Sequence, residues 1–132
     1  MSQPNFSIMT DLFVEKTSNT PQASFNATTG IMTIEGRSIP ENPGVFYDKL
    51  LTWLKEYYQS PQPLTQFHIK LEYINSGSSK AMLDIFRLAK EQHEKGHDCL
   101  VVWYYEEDDE SVMELGQHYQ YTLKLPFEFR TY

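Results

Sequence analysis

Three hydroxyls and an amide crowd one short stretch of this chain, Asn75-Ser76-Gly77-Ser78-Ser79. An apolar, strand-like run ends at Leu71-Glu72-Tyr73-Ile74, and a helix-like pattern begins at Lys80. The serines therefore fall at a helix N-terminus, where unpaired backbone N–H groups and the helix dipole favour an oxygen acceptor or a negative charge. Three chemistries fit such a place. A serine there can cap the helix, since Asn and Ser are preferred caps and Gly77 permits a tight turn. It can accept a phosphate, whose added charge of about −1.5 to −2 suits a helix N-terminus and would block docking on an apolar or acidic partner without refolding the domain. Or it can be a nucleophile. Ile74-Asn75-Ser76-Gly77-Ser78 does not match the G-x-S-x-G elbow, and a nucleophile needs a histidine base. His68 lies on the preceding strand, His93 and His97 lie at the far end of the following helix, and His118 is remote in sequence.

Two further clusters could bind a cation. His93 and His97 are four residues apart with Cys99 just beyond, a spacing that would align two rings on a helix. Lys95-Gly96 interrupts that helix, and Cys99 precedes the apolar run Leu100-Val101-Val102, so the thiol reads as a buried strand residue and the histidines as surface groups. Glu106-Glu107-Asp108-Asp109-Glu110 lacks the alternating ligands and central glycine of an EF-hand and reads as a solvated loop or an acidic helix start. No metal and no cofactor are expected.

The elements that must position these residues follow from periodicity. Asp11–Glu15 has the makings of a short edge strand. Ser24-Phe25-Asn26 and Gly30–Gly36 flank a short loop and predict a hairpin. Asn42 is a candidate N-cap with Pro43 at the first helical position, and Phe46, Leu50, Trp53, Leu54 and Tyr57 mark one helical face. Phe67, Ile69, Leu71 and Tyr73 alternate with polar residues as a half-buried strand. Met82, Ile85, Phe86 and Ala89 form the apolar stripe of a second helix, and Leu100–Tyr105 is an interior strand. Ser111–Gly116 is assigned a short third helix. Tyr119, Tyr121, Leu123 and Leu125 alternate and predict a last strand limited by Pro126. Strand-helix-strand order implies right-handed crossovers. The expected fold is an α/β single domain, a mixed sheet of four to five strands with two main helices plus a short third, packed mainly on one face.

At 132 residues, 40% hydrophobic and 14% aromatic, the chain can bury one core. Residues 1–10 read as a loose leader and 11–132 as the domain. A net charge of −7 argues against nucleic acid and for a neutral or basic partner surface. The single cysteine allows no internal disulfide, and the Asn26-Ala27-Thr28 sequon carries little weight without a secretion signal. Neither a signal peptide nor a membrane-spanning run is evident, so the cytoplasm is the expected location.

Taken in order, Ile34-Glu35-Gly36-Arg37-Ser38-Ile39-Pro40-Glu41-Asn42-Pro43, Phe46-Tyr47, Trp53, Leu71–Lys80 and Trp103–Glu110 give the chain a specific resemblance to the SiaC family of bacterial regulatory phosphoproteins. The resemblance spans roughly residues 10–127. It implies an architecture and a logic similar to the STAS domains of anti-sigma-factor antagonists. It also implies a kinase of histidine-kinase-type ATPase fold, a PP2C-type phosphatase, and an effector such as a diguanylate cyclase, linked to cyclic di-GMP and biofilm growth. The phosphoacceptor implied is Ser76, with Ser78 and Ser79 as rivals. The family pattern has threonine then serine where this chain has Ser76 then Gly77. Asn75 and Gly77 would shape the turn, Lys80 would sit near the phosphate, and Glu41 and Asn42 would join the docking surface. The alternatives are a small serine hydrolase and an interaction scaffold whose serine only caps a helix.

Overall fold

A computed structural model describes residues 9–132. The order is β1 (Leu12–Val14), β2 (Gln22–Asn26), β3 (Ile31–Ser38), α1 (Pro43–Tyr57), β4 (Leu64–Ile74), α2 (Ser76–Glu94), β5 (Asp98–Tyr105), α3 (Glu110–Leu123) and β6 (Phe127–Thr131). The six strands form one mixed sheet in sequential order. β1, β2 and β3 pair antiparallel, and β3 through β6 pair parallel. Each parallel step needs a crossover, and three crossovers of one hand and one direction bring α1, α2 and α3 to the same face. Residues 1–8 of the expected leader lie outside the described residues; Met9 packs against the core and the Thr10 carbonyl accepts a hydrogen bond from Trp53 Nε1 at 2.9 Å. Among the described residues no helix is long and apolar enough to cross a membrane.

The mixed α/β single domain agrees with the sequence expectation, and the sheet is one strand wider than the four or five expected. The extra strand is the edge run at Leu12–Val14, which does pair with β2. The alternating apolar positions of β2 to β5 face the helices: Ala23, Phe25, Met32, Ile34, Phe67, Ile69, Leu71, Val101 and Trp103 are buried. Phe46, Leu50, Leu54 and Tyr57 of α1 and Met82, Ile85, Phe86 and Ala89 of α2 cover them. Cys99 is buried as expected, and desolvation pushes its thiol up to about 12.

The last third of the chain corrects two expectations. Tyr119, Tyr121, Leu123 and Leu125 do not form a strand, and the third helix does not stop at Gly116. α3 runs to Leu123, with Val112, Gly116, Tyr119 and Leu123 on its buried stripe. Gly116 is a close-approach glycine rather than a terminator: a Cβ there would lie 2.6 Å from the Trp103 indole and 2.8 Å from the Phe129 ring. The indole N–H reaches the Val112 carbonyl at 2.9 Å, so Trp103 is covered by α3 and satisfied by it. The real stop is Lys124, in the left-handed region at φ 55°, with Pro126 two residues on, a common helix exit. β6 follows Pro126, whose carbonyl accepts from the Val101 N–H at 2.9 Å.

Gly116→Ala should destabilise the domain by about 1–3 kcal/mol through overpacking, although alanine is the better helix former by about 1 kcal/mol. Urea denaturation checks this; unchanged or raised stability would contradict the tight seat on Trp103. Burial raises the phenols of Tyr58 and Tyr119 and lifts Tyr47 from 10.0 to about 12. The native state thus keeps protons that the unfolded chain releases first, so stability should hold up to about pH 10 and fall from there towards 12. Melting curves across that range test the sign, and Tyr47→Phe should flatten the fall.

Candidate functional site

The site lies where β3 and β4 end and α1 and α2 begin. Arg37 pairs with Glu72 but Ser38 pairs with Ile74, so Tyr73 is an extra residue in β4. It sits at φ 53°, rare for an aromatic residue, and is 62% exposed with the Arg37 guanidinium 4.9 Å over its ring. Past this bulge the ladder resumes, and the Asn75 N–H donates to the Ser38 carbonyl at 3.0 Å.

Asn75 is the N-cap of α2. Its Oδ1 accepts from the Ser78 N–H at 2.9 Å, and its Nδ2 donates to the Pro40 carbonyl, also at 2.9 Å. One amide therefore caps α2 and ties it to the loop that enters α1. Gly77 brings the two helices closer still: a Cβ there would lie 2.8 Å from Pro43 Cγ. Gly77 thus permits contact between two helix entrances.

The three serines of the turn separate clearly. Ser78 is 0% exposed; its Oγ accepts from Ser38 Oγ at 2.8 Å, and Ser38 Oγ lies 2.7 Å from the Tyr47 hydroxyl. Ser79 is half-buried and donates back to the Ser76 carbonyl at 2.9 Å, while its own carbonyl accepts from the Tyr119 hydroxyl at 2.6 Å. Ser76 is exposed at the first position of α2, and its hydroxyl makes no side-chain hydrogen bond among the described residues. The first turn of α2 contains no Asp or Glu, so no carboxylate there offsets the positive helix end.

Ser76 opens on a groove between the β4–α2 turn and the start of α3, lined by Tyr73, Ile74, Ser79, Asp109, Val112 and Leu115. The acidic run becomes the entry to α3, with Asp109 as N-cap accepting from the Val112 N–H at 3.1 Å. Lys80 is exposed and lines a different groove, beside Pro43, Gly77 and Asp84. Glu41 and Asn42 are exposed at the α1 entrance; Asn42 holds the N-cap position without a side-chain capping bond.

The remaining candidates are elsewhere. His68 sits on the sheet face away from the helices, with ring nitrogens 3.2 Å from the Tyr104 hydroxyl and 3.0 Å from Gln66 Oε1; partial burial and Arg130 lower its pKa. His93 is in the last turn of α2, His97 follows that helix, and His118 is on α3. Among the described residues no group of three or more His, Cys, Asp or Glu is arranged to hold a metal. Sequence reasoning missed Ser38, Pro40, Tyr47 and Tyr119 as partners of the turn. One signal was available: Ser78 precedes Met82 by four residues and so falls on the buried stripe of α2.

Fold and site together describe a small α/β domain that offers one free hydroxyl at a helix entrance. The chain belongs to the SiaC family: the model of the SiaC family regulatory phosphoprotein matches residues 14–132. It is 28% identical over 124 residues to an uncharacterised protein of Pseudomonas aeruginosa strain UCBPP-PA14, covering 94% of this chain and 98% of that one. SiaC of Pseudomonas aeruginosa, solved in complex with the diguanylate cyclase SiaD that it activates, superposes with a TM-score of 0.87 at 28% identity, covering 92% of this chain and 100% of that one. Apo-SiaC from the same organism gives a TM-score of 0.86 at 28% identity, over 93% and 100% of the two chains. The chain is thus a member of a family of regulatory proteins.

Asn75→Ala removes the α2 cap and the tie to Pro40 at once. It should cost about 1–2 kcal/mol in chemical denaturation, with faster amide exchange at Ser78. A loss below about 0.3 kcal/mol would show that the amide does not hold the turn.

Proposed function

We propose that this chain is a partner-switch protein, not itself an enzyme, in which reversible phosphorylation of Ser76 controls binding to an effector, a diguanylate cyclase. One observation carries the choice of residue: of the three serines in the turn, Ser76 alone is exposed with its hydroxyl free of side-chain bonds. The capping alternative is weakened because Asn75 already caps α2. The hydrolase alternative is weakened because none of the four histidines hydrogen-bonds Ser76 among the described residues. The effector class is carried by family membership and by the solved complex of Pseudomonas aeruginosa SiaC with SiaD.

The mechanism is electrostatic and local. A phosphate on Ser76 adds about −1.5 to −2 charges, and the α2 N-terminus accommodates part of it. The rest projects from the surface that carries Ser76, near exposed Glu41 and Asn42 at the α1 entrance. A partner that docks there on the neutral hydroxyl must then bury an uncompensated charge, which opposes binding. A kinase of histidine-kinase-type ATPase fold adds the phosphate, and a PP2C-type phosphatase removes it.

Incubation with the cognate kinase and ATP, followed by phosphate mapping, should label wild type at Ser76 and leave Ser76→Ala unlabelled. Persistent labelling of Ser76→Ala would sink the assignment. Calorimetry should show phosphorylated protein binding the cyclase at least about tenfold more weakly, or 1.4 kcal/mol. Equal affinity of the two forms would refute the charge block.

A further inference from the structure

Beneath Ser76 lies a buried group of three hydroxyls from three elements: Ser38 on β3, Tyr47 on α1 and Ser78 on α2, exposed by 0%, 2% and 0%. Ser38 Oγ sits at the centre, donating to Ser78 Oγ at 2.8 Å and facing the Tyr47 hydroxyl at 2.7 Å. A buried hydroxyl without a partner costs free energy, so each member is held by the others. The close approach of the two helix entrances fixes the same place. Tyr47 is one helical turn beyond Pro43 and shares its face of α1, and Gly77, just before Ser78, admits Pro43. The missing Cβ of Gly77 therefore lets α1 approach closely enough to seat the Tyr47 hydroxyl.

The first turn of a helix is where fraying begins, because its N–H groups have no intrahelical partners. Here that turn carries three serines, of which a kinase would meet any that swings out. We propose that Ser38 and Tyr47 are positioning residues that set which serine is modified: by holding Ser78 inward they keep the turn closed and leave Ser76 as the single acceptor. This rests on Ser76 as the phosphoacceptor. The lock does no chemistry; it decides which hydroxyl is presented.

Ser38→Ala and Tyr47→Phe test it in the full chain. Tyr47→Phe keeps the ring and its packing but removes the hydroxyl that orients Ser38 towards Ser78, so it loosens the lock and stays informative should Ser38→Ala not fold. In either folded variant, amide exchange at Ser78 and Ser79 should quicken by about tenfold while Ala89, deep in α2, keeps its wild-type rate. After treatment with the cognate kinase, mass spectrometry should find phosphate divided between Ser76 and Ser78, against Ser76 alone in wild type. Unchanged exchange in the turn, or phosphate confined to Ser76 at the wild-type kcat/KM, would overturn the lock. Phosphate absent from Ser76 in wild type would instead overturn the reading of Ser76 itself, and the lock's role in selecting it.

Discussion

Parallel pairing of β3 with β4, and of β4 with β5, is the constraint on which everything else here depends. A parallel neighbour can be reached only by a crossover, so each strand must hand the chain to a helix at its C-terminal end. The N-termini of α1 and α2 consequently open side by side at the C-terminal ends of the parallel strands, with Gly77 against Pro43. Their unpaired N–H groups and dipoles point to the same side. Nothing in the local sequence of either helix requires this; it follows from the strand order.

The chain adapts that end of the sheet with small devices. A bulge at Tyr73 absorbs one extra residue so that Ile74 regains its partner on β3. Gly77 lets Pro43 close on it, and Asn75 spans from one helix entrance to the loop of the other. Burial then sorts the hydroxyls. Ser78 is absorbed by a network with Ser38 and Tyr47, Ser79 is turned back on its own helix, and Ser76 is left facing solvent. An exposed hydroxyl and a stable helix start thus share one short segment without competing for the same side chain.

Most elements were readable because their burial is one-sided. The stripes of α1 and α2 and the alternation in β4 come from packing on a single sheet face, which imprints a clear period. The C-terminal third was read wrongly for a specific reason. Tyr119, Tyr121, Leu123 and Leu125 alternate by chance within a helix, since Tyr121 is exposed on α3 and Leu125 lies beyond it. Gly116 looked like a stop because a glycine in a helix interior is costly unless a neighbour needs the space. The neighbour is Trp103, on a different strand.

By itself the sequence determined that residues 75–79 form a helix entrance rich in hydroxyls, that Asn75 is suited to cap it, and that the flanking motifs carry the family. These are local matters, set by residue type and short-range spacing. Which serine stays free was decided only by tertiary structure. Ser76 and Ser78 have the same side chain, two positions apart, and differ because one faces solvent and the other meets Ser38 and Tyr47 from elements far away in sequence. Burial and hydrogen-bond satisfaction are properties of the packed assembly, so no local pattern could have specified that whole network in advance.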